Sequence, residues 1–197
     1  MKGMMLDVLT ALRQSTAQRH AELDTRTPLA GAAPDLRAYR DHLRLLEAWL
    51  APIEAWLDGP ADGALQAFAR ADYLRWIRED LADASLAQLP PARPLHAADG
   101  DDAAWPQDSD AAYRWGVCYV IEGSQLGGAV LYKRWSERLA PHPLRYLRGA
   151  GSPGPRWQQF LAALRGEVTS ARQIDAACRG ARQAFDRLIA LNRALHR

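Results

Sequence analysis

The feature that most constrains the fold is the spacing of apolar residues, which recur every three or four positions along most of this 197-residue chain. This period places them on one face of an α-helix. The clearest run holds Leu36, Tyr39, Leu43, Leu46, Leu50, Ile53 and Leu57. Sustained alternation of apolar and polar residues, which is typical of strands, does not occur in the sequence. The spacing therefore predicts an all-α fold of roughly seven to nine helices around one core.

Caps and helix breakers indicate where the helices begin and end. Asp35 is a predicted N-cap, and Ser170 with Gln173 three positions later forms a capping-box pattern. A third helix is expected at about 62–86, and a long helix is expected from near 108 to about 139. The proline-rich residues 88–107 between them indicate an irregular connection.

Composition excludes several classes of protein. The chain is 48% hydrophobic and 24% charged, and its net charge of +2 is too small to indicate a nucleic-acid partner. No apolar run is long enough to cross a membrane, and the N-terminus does not resemble a signal peptide. The two cysteines form no CxxC pair, which favours a reducing compartment. We therefore expect a single domain over 1–197 in the cytoplasm, with no nucleic-acid or membrane partner.

The first candidate functional residue is His20, which shares a helical face with Leu9, Leu12 and Leu23. A histidine at such a position is either a core residue with backbone partners or a metal ligand. No HxxxH or HExxH spacing occurs in the chain, so a zinc site made by protein ligands alone is not expected.

Two charged residues flank His20 at helical spacing. Asp24, one turn later, can accept the imidazole N–H and leave the other ring nitrogen free for a metal. Arg13, seven residues earlier, lies ~10 Å along the same face and can pair with a carboxylate of a ligand. Taken singly, each is also compatible with an ordinary solvated surface charge.

The second candidate segment is a predicted helix that contains Gly116, Gly123, Gly127 and Gly128. Each glycine destabilises a helix by roughly 0.5–1 kcal/mol relative to alanine, so four of them require a compensating role. The glycines could allow close helix packing, mark a turn at the last pair, or leave backbone bare for a planar ligand. Together with His20, the last role would suit a flat, iron-bearing molecule clamped between two helices.

These segments resemble the bacterial haem oxygenases, in particular the biliverdin-producing enzymes associated with bacteriophytochromes. The resemblance rests on two motifs, Leu12-Arg13-x-x-Thr16-x-x-x-His20-x-x-Leu23-Asp24 and Gly123-Ser124-x-Leu126-Gly127-Gly128. Tyr146-Leu147-x-Gly149, Trp157-x-x-Phe160 and the last helix also fit, so the similarity spans almost the whole chain. It implies a single-domain, multi-helix bundle.

The resemblance also implies roles for individual residues. His20 would ligate the iron, Arg13 would meet a propionate, and Asp24 would orient the imidazole. Gly123, Ser124, Gly127 and Gly128 would line the opposite, distal side. Haem would be both cofactor and substrate, and O₂ with an external ferredoxin- or flavoprotein-type electron donor would convert it to biliverdin, CO and iron. A bacteriophytochrome is the implied recipient of the biliverdin.

The sequence departs from the family pattern in two respects. Animal members carry a distal aspartate that organises water, whereas this chain has Ser124 at the aligned place. Basic residues on the later helices that grip propionates are not clearly matched, and Lys133, Arg134 and Arg179 are the candidates. The propionate contacts set the rotation of the haem and therefore which meso carbon is cleaved.

Three other functions are compatible with parts of the pattern. A haem carrier or sensor would use the same ligand and the same glycines without turnover. A helical relative acting on another small molecule would need a nucleophile such as Cys118, although its neighbours indicate a packed thiol. An interaction module would use the seven tryptophans as surface anchors.

Overall fold

The protein is a helical bundle. Its computed structural model describes residues 7–58, 72–92, 95, 105–106 and 110–195. These residues form eight α-helices and one 3₁₀ turn at Pro28–Ala30, with no strand among them. The helices are α1 (Val8–Arg26), α2 (Leu36–Leu57), α3 (Tyr73–Leu81), α4 (Ala84–Ala87), α5 (Ala111–Trp135), α6 (Arg145–Arg148), α7 (Pro153–Glu167) and α8 (Ala171–Leu195). The predicted all-α class is confirmed.

The predicted caps stand at the helix ends. The Asp35 side chain accepts a hydrogen bond from the Ala38 N–H at 2.9 Å and opens α2. Before α8, the Gln173 side chain accepts from the Ser170 N–H at 2.9 Å, and the Ser170 hydroxyl accepts from the Gln173 N–H at 3.3 Å. Both interactions satisfy amides that a helix N-terminus leaves without intrahelical partners.

Other predicted boundaries differ from the structure. The expected helix over 62–86 is divided at its C-terminal end into α3 and α4, because the Asp83 side chain caps a new helix by accepting from the Ser85 N–H. Residues 62–71 of that prediction and most of 88–107 lie outside the described residues. The segment after α5 contains the short helix α6.

The core forms where the two longest described helices meet. Helix α5 packs along α8, and two glycines allow the close approach. A Cβ at Gly116 would lie 1.9 Å from the Ala177 carbonyl oxygen, and one at Gly180 would lie 2.1 Å from the Tyr113 carbonyl oxygen. Helix α1 packs on α8 as well. Helix α8 therefore supports both α1 and α5, the two helices that carry the predicted site.

A buried carboxylate holds the short helix α6 beside α5. Asp80 is fully buried and accepts hydrogen bonds from the Tyr39 hydroxyl at 2.6 Å and from the backbone N–H groups of Arg145 and Tyr146 at 3.0 and 2.9 Å. Backbone atoms of Leu147 in α6 lie 3.8 Å from the position that a Cβ on Gly128 would take. The α6 segment thus forms a fixed support for the glycine-rich part of α5.

None of the helices that the structure describes is long and apolar enough to span a bilayer.

Candidate functional site

His20 lies on α1 at the edge of its buried stripe, and not within the stripe as its spacing suggested. Leu12, Thr16 and Leu23 are buried, whereas the His20 side chain is 64% exposed. Its aromatic neighbour on α8 is Phe185, whose ring is centred 6.1 Å from the imidazole and tilted by 58° to it. Most of the imidazole therefore faces solvent.

The ring nitrogens of His20 have different surroundings. Nδ1 lies 2.9 Å from a carboxylate oxygen of Asp24, one turn later. Because a carboxylate only accepts, Nδ1 carries the hydrogen when the imidazole is neutral, and the lone pair is then on Nε2. Nε2 has no hydrogen-bond partner within the described part of the chain. This is the arrangement expected of a histidine whose outer carboxylate orients it for a metal.

Arg13 reaches across from α1 to the glycine-bearing helix. Burial raises the pKa of the Tyr119 hydroxyl on α5, and the charge and hydrogen bond of Arg13 oppose that rise. Arg13 is itself exposed, and a guanidinium has five N–H donors, so contact with one phenol leaves donors for a carboxylate. Arg13 and Tyr119 therefore link α1 to α5 near the predicted site.

The glycines of α5 divide into two groups. Gly116 serves helix packing, since Ala177 leaves no room for a Cβ there. Gly127 has the opposite environment: it is exposed, and among the described residues outside its own helix no atom lies within 4 Å of a Cβ at that position. The chain between them is continuous helix, so the interpretation of Gly127 and Gly128 as a turn was wrong. Packing explains Gly116, and it leaves the bare backbone at Gly127 without a structural purpose.

Gly123 and Gly128 have neighbours at ordinary contact distance. A Cβ on Gly123 would lie 3.7 Å from the Trp157 ring of α7, and one on Gly128 would lie 3.8 Å from the Leu147 oxygen. Both positions would accept a small side chain without a clash. The space beside α5 is therefore bounded by Trp157 at one end and open at Gly127.

Ser124 is turned toward its own helix and α6. Its hydroxyl donates to the Ile121 carbonyl oxygen at 2.6 Å, and it also contacts the Tyr146 hydroxyl. Burial raises the pKa of Tyr146, and the neighbouring polar side chains of Ser124 and Gln125 oppose that rise. The only remaining capacity of the Ser124 hydroxyl is as an acceptor, through which it can still hold a water molecule.

The basic candidates on later helices are separate from these residues. Lys133 lies exposed in the last turn of α5, and the described residues include no hydrogen bond or ion pair between it and Arg13 or His20. The Arg134 guanidinium stacks over the Trp135 ring at 4.4 Å, and Arg179 pairs with Asp175 at 2.7 Å. A role for Lys133 in holding a propionate stays a prediction.

Sequence reasoning missed a buried ion pair beside the glycines. Glu122 is 6% exposed and accepts two hydrogen bonds from Arg156, Nε at 2.8 Å and Nη2 at 2.7 Å. The Tyr73 hydroxyl donates to the same carboxylate at 3.0 Å. Glu122 is the one charged residue between Arg114 and Lys133 in the sequence, and its place inside an apolar run was the available signal.

A cleft adjoins this ion pair. It has a volume of about 70 Å³, and its lining includes Gln125 and Gly149 together with Tyr73, Glu122, Arg156 and Trp157. Trp157 thus lines the cleft and also contacts the face of α5 that carries Gly123 and Gly127, here called the glycine face. Among the described residues, no group of His, Cys, Asp and Glu side chains is placed to hold a metal ion, and Cys118 and Cys178 are buried free thiols. The burial of Cys118 agrees with a packed thiol.

Comparison with known proteins identifies the family. The family model for heme oxygenase matches residues 6–194. The chain is 30% identical over 176 residues to a "Heme oxygenase" of Xanthomonas campestris pv. campestris (strain 8004), covering 88% of this chain and 92% of that protein. It is 32% identical over 115 residues to "Heme oxygenase PigA" of Pseudomonas aeruginosa, covering 56% of this chain and 55% of that one. The chain therefore belongs to the haem oxygenase family.

Proposed function

We propose that this haem-degrading enzyme cleaves haem to biliverdin, CO and iron, and that His20 would bind the haem iron while the face of α5 that carries Gly123 and Gly127 would contact the porphyrin. The observation that carries the proposal is the His20 ring, whose Nδ1 is bound to Asp24 while Nε2 lacks a partner in an exposed side chain, within the described residues. A neutral imidazole of this kind suits an iron that must bind O₂.

Three features of the residues proposed to hold haem support this assignment. A porphyrin is flat and largely apolar, and Gly127 offers exposed backbone without a side chain, with no described residue of another element near the position of a Cβ. Haem also carries two carboxylates, for which Arg13 has spare donors beside Tyr119. The Phe185 ring next to His20 adds an apolar contact on α8.

The chemistry divides between the ligand and the protein. Bound haem supplies the iron that activates O₂ and is itself the substrate, as in other cofactor enzymes where the protein binds and orients. Asp24 holds the hydrogen on Nδ1 and keeps the imidazole in one orientation. Gly123 and Gly127 leave room on the opposite side. Ser124 and Gly128 would line this distal side. The hydroxyl oxygen of Ser124 would accept a hydrogen bond from a water molecule there.

The partners follow from the reaction. Oxidative cleavage consumes electrons that no group of this chain supplies, so we propose an external ferredoxin- or flavoprotein-type donor. We further propose a cytoplasmic bacteriophytochrome as a recipient of the biliverdin. Mixing the reaction with apo-bacteriophytochrome tests this partner, because uptake of the pigment would develop the absorbance of the photoreceptor.

The activity is tested on the ferric haem complex. Addition of ascorbate, or of ferredoxin with its reductase, should abolish the Soret band while biliverdin absorbance rises. A ferrous complex that persists in air with either donor would contradict the proposal and make the chain a haem carrier or sensor.

A further inference from the structure

The residue that bounds the glycine face of α5 is Trp157 of α7. Its ring lies 3.7 Å from the position of a Cβ on Gly123. The ring centroid is 5.5 Å from that of Tyr119 and 5.7 Å from that of the fully buried Phe160, on which the indole stacks. A tryptophan held between two other rings has few alternative rotamers, so it forms a rigid boundary.

The ion pair between Glu122 and Arg156 determines the position of the Trp157 ring. Glu122 precedes Gly123 on α5, and Arg156 precedes Trp157 on α7. The two hydrogen bonds between Arg156 and Glu122 therefore fix the register of α7 against α5 at the residue before each contact. A guanidinium that binds a buried carboxylate with two donors tolerates little sliding, because the pair has one good geometry.

Trp157 is also connected to the predicted propionate partner. Tyr119 contacts the Trp157 ring, and the charge and hydrogen bond of Arg13 act on the Tyr119 hydroxyl. The three side chains come from α7, α5 and α1, and they form a series of neighbours that begins with Trp157 beside Gly123. This series contains a charged group for a carboxylate and an aromatic wall, which are the two elements needed to orient a disc that is charged on one side only.

We propose that Trp157 is a specificity-determining residue of this enzyme: its indole is the wall that limits rotation of haem in its plane and so selects the meso carbon that is cleaved. Arg156 and Glu122 act through it as positioning residues. The inference rests on the proposed function. The four meso carbons of a porphyrin differ mainly in where rotation places them, and one flexible arginine leaves that rotation poorly determined. A rigid wall beside Gly123 supplies the second constraint.

The test compares biliverdin isomers from the wild type and from Trp157→Ala and Trp157→Phe. Trp157→Ala should change the ratio of isomers by about tenfold, equivalent to about 1.4 kcal/mol between two haem rotations. Trp157→Phe, which keeps an aromatic wall of smaller area, should give a smaller change, and it supplies the comparison if the alanine variant does not fold. Arg156→Lys should shift the ratio in the same direction, because it loses the two-donor geometry.

The matched control is Trp76→Ala. Trp76 lines the same cleft, and its ring centroid lies 5.8 Å from that of Tyr73. Unlike Trp157, it contributes no atom near the position of a Cβ on Gly123. Its removal should leave the isomer ratio unchanged. A readout independent of turnover is the pattern of haem methyl shifts in the NMR spectrum of the cyanide complex, which reports haem rotation directly and should change with Trp157 and not with Trp76.

The outcomes separate this inference from the proposed function. If the wild type binds haem and makes biliverdin, and Trp157→Ala keeps the same isomer ratio and the same methyl shifts, the inference alone is overturned. An equal shift in Trp76→Ala also overturns it, since the effect would then be general loosening of the cleft. A wild type that takes up no haem overturns both.

Discussion

Gly116 and Gly127 lie on the same helix, and their surroundings are opposite. A Cβ on Gly116 would lie 1.9 Å from the Ala177 carbonyl oxygen, while a Cβ on Gly127 would meet nothing within 4 Å in the part of the chain that the structure describes outside its own helix. The first glycine is required by the contact of α5 with α8. The second has no such requirement, and its destabilising effect on the helix is explained when a ligand occupies the adjacent space.

Replacement of Gly127 should separate stability from ligand binding. Gly127→Leu should raise the stability of the apoprotein by about 0.5–1 kcal/mol, because leucine favours helix over glycine. It should weaken haem binding by about tenfold or more, since a side chain would enter the space for the porphyrin. Urea unfolding and hemin titration measure the two effects. Gly166→Leu is the control, because Gly166 on α7 also has an open Cβ direction; equal haem affinity in the two variants would contradict the assignment.

Replacement of Gly116 should have the opposite effect. Gly116→Ala forces α5 and α8 apart at Ala177 and should destabilise the fold by about 3 kcal/mol. For a chain of this size, that corresponds to a fall in Tm of roughly 6–12 °C. Thermal unfolding followed by circular dichroism measures it. An unchanged Tm would mean that the two helices do not meet closely at this glycine.

Removal of the carboxylate charge beside His20 should weaken the bond between His20 and the haem iron without affecting the fold. Asp24→Asn should lower haem affinity by about 10–100-fold, the usual effect of losing an outer carboxylate on a ligating histidine. It should also lower the Fe–His stretching frequency of the ferrous complex, measured by resonance Raman spectroscopy. Asp175→Asn removes an equivalent exposed carboxylate, paired with Arg179 on α8, and should change neither quantity. Equal spectra for the two variants would refute the role of Asp24.

Acid should destabilise the protein through His42. Burial lowers the pKa of His42 from 6.5 to about 4. Between these values the unfolded chain binds a proton that the folded chain does not, so stability rises with pH through this window and levels off above it. The free energy of unfolding of the wild type, relative to that of His42→Leu, should therefore fall by about 3 kcal/mol between about pH 7 and about pH 4. Urea unfolding at several pH values tests this, and a constant difference would show that His42 does not titrate in this way.

Local sequence signals predicted the helices and their caps, because both depend on residues within a few positions of one another. The apolar period identified α2 and α8, and Asp35 and Ser170 were read as N-caps from their own neighbours. The break between α3 and α4 was missed, since the Asp83 cap competes with an apolar pattern that continues through it.

The parts of the site that depend on partners from distant segments were beyond sequence reasoning. Helical spacing puts Gly116 and Gly127 on one face, and only the position of α8 shows that one is packed and the other open. The exposure of His20 depends on how α1 packs against α8, which carries the neighbouring Phe185 ring. The pairing of Glu122 with Arg156 joins residues 34 positions apart, and no pattern in either segment requires it.

The central claim is that the His20 imidazole ligates haem iron, and the most direct measurement is a hemin titration of the wild type, His20→Ala, and His20→Ala with added imidazole. The account predicts one haem per wild-type chain with a histidine-ligated spectrum, loss of that spectrum in a variant that retains its helical circular dichroism, and its recovery with imidazole. A His20→Ala complex with the wild-type spectrum and affinity would contradict the account.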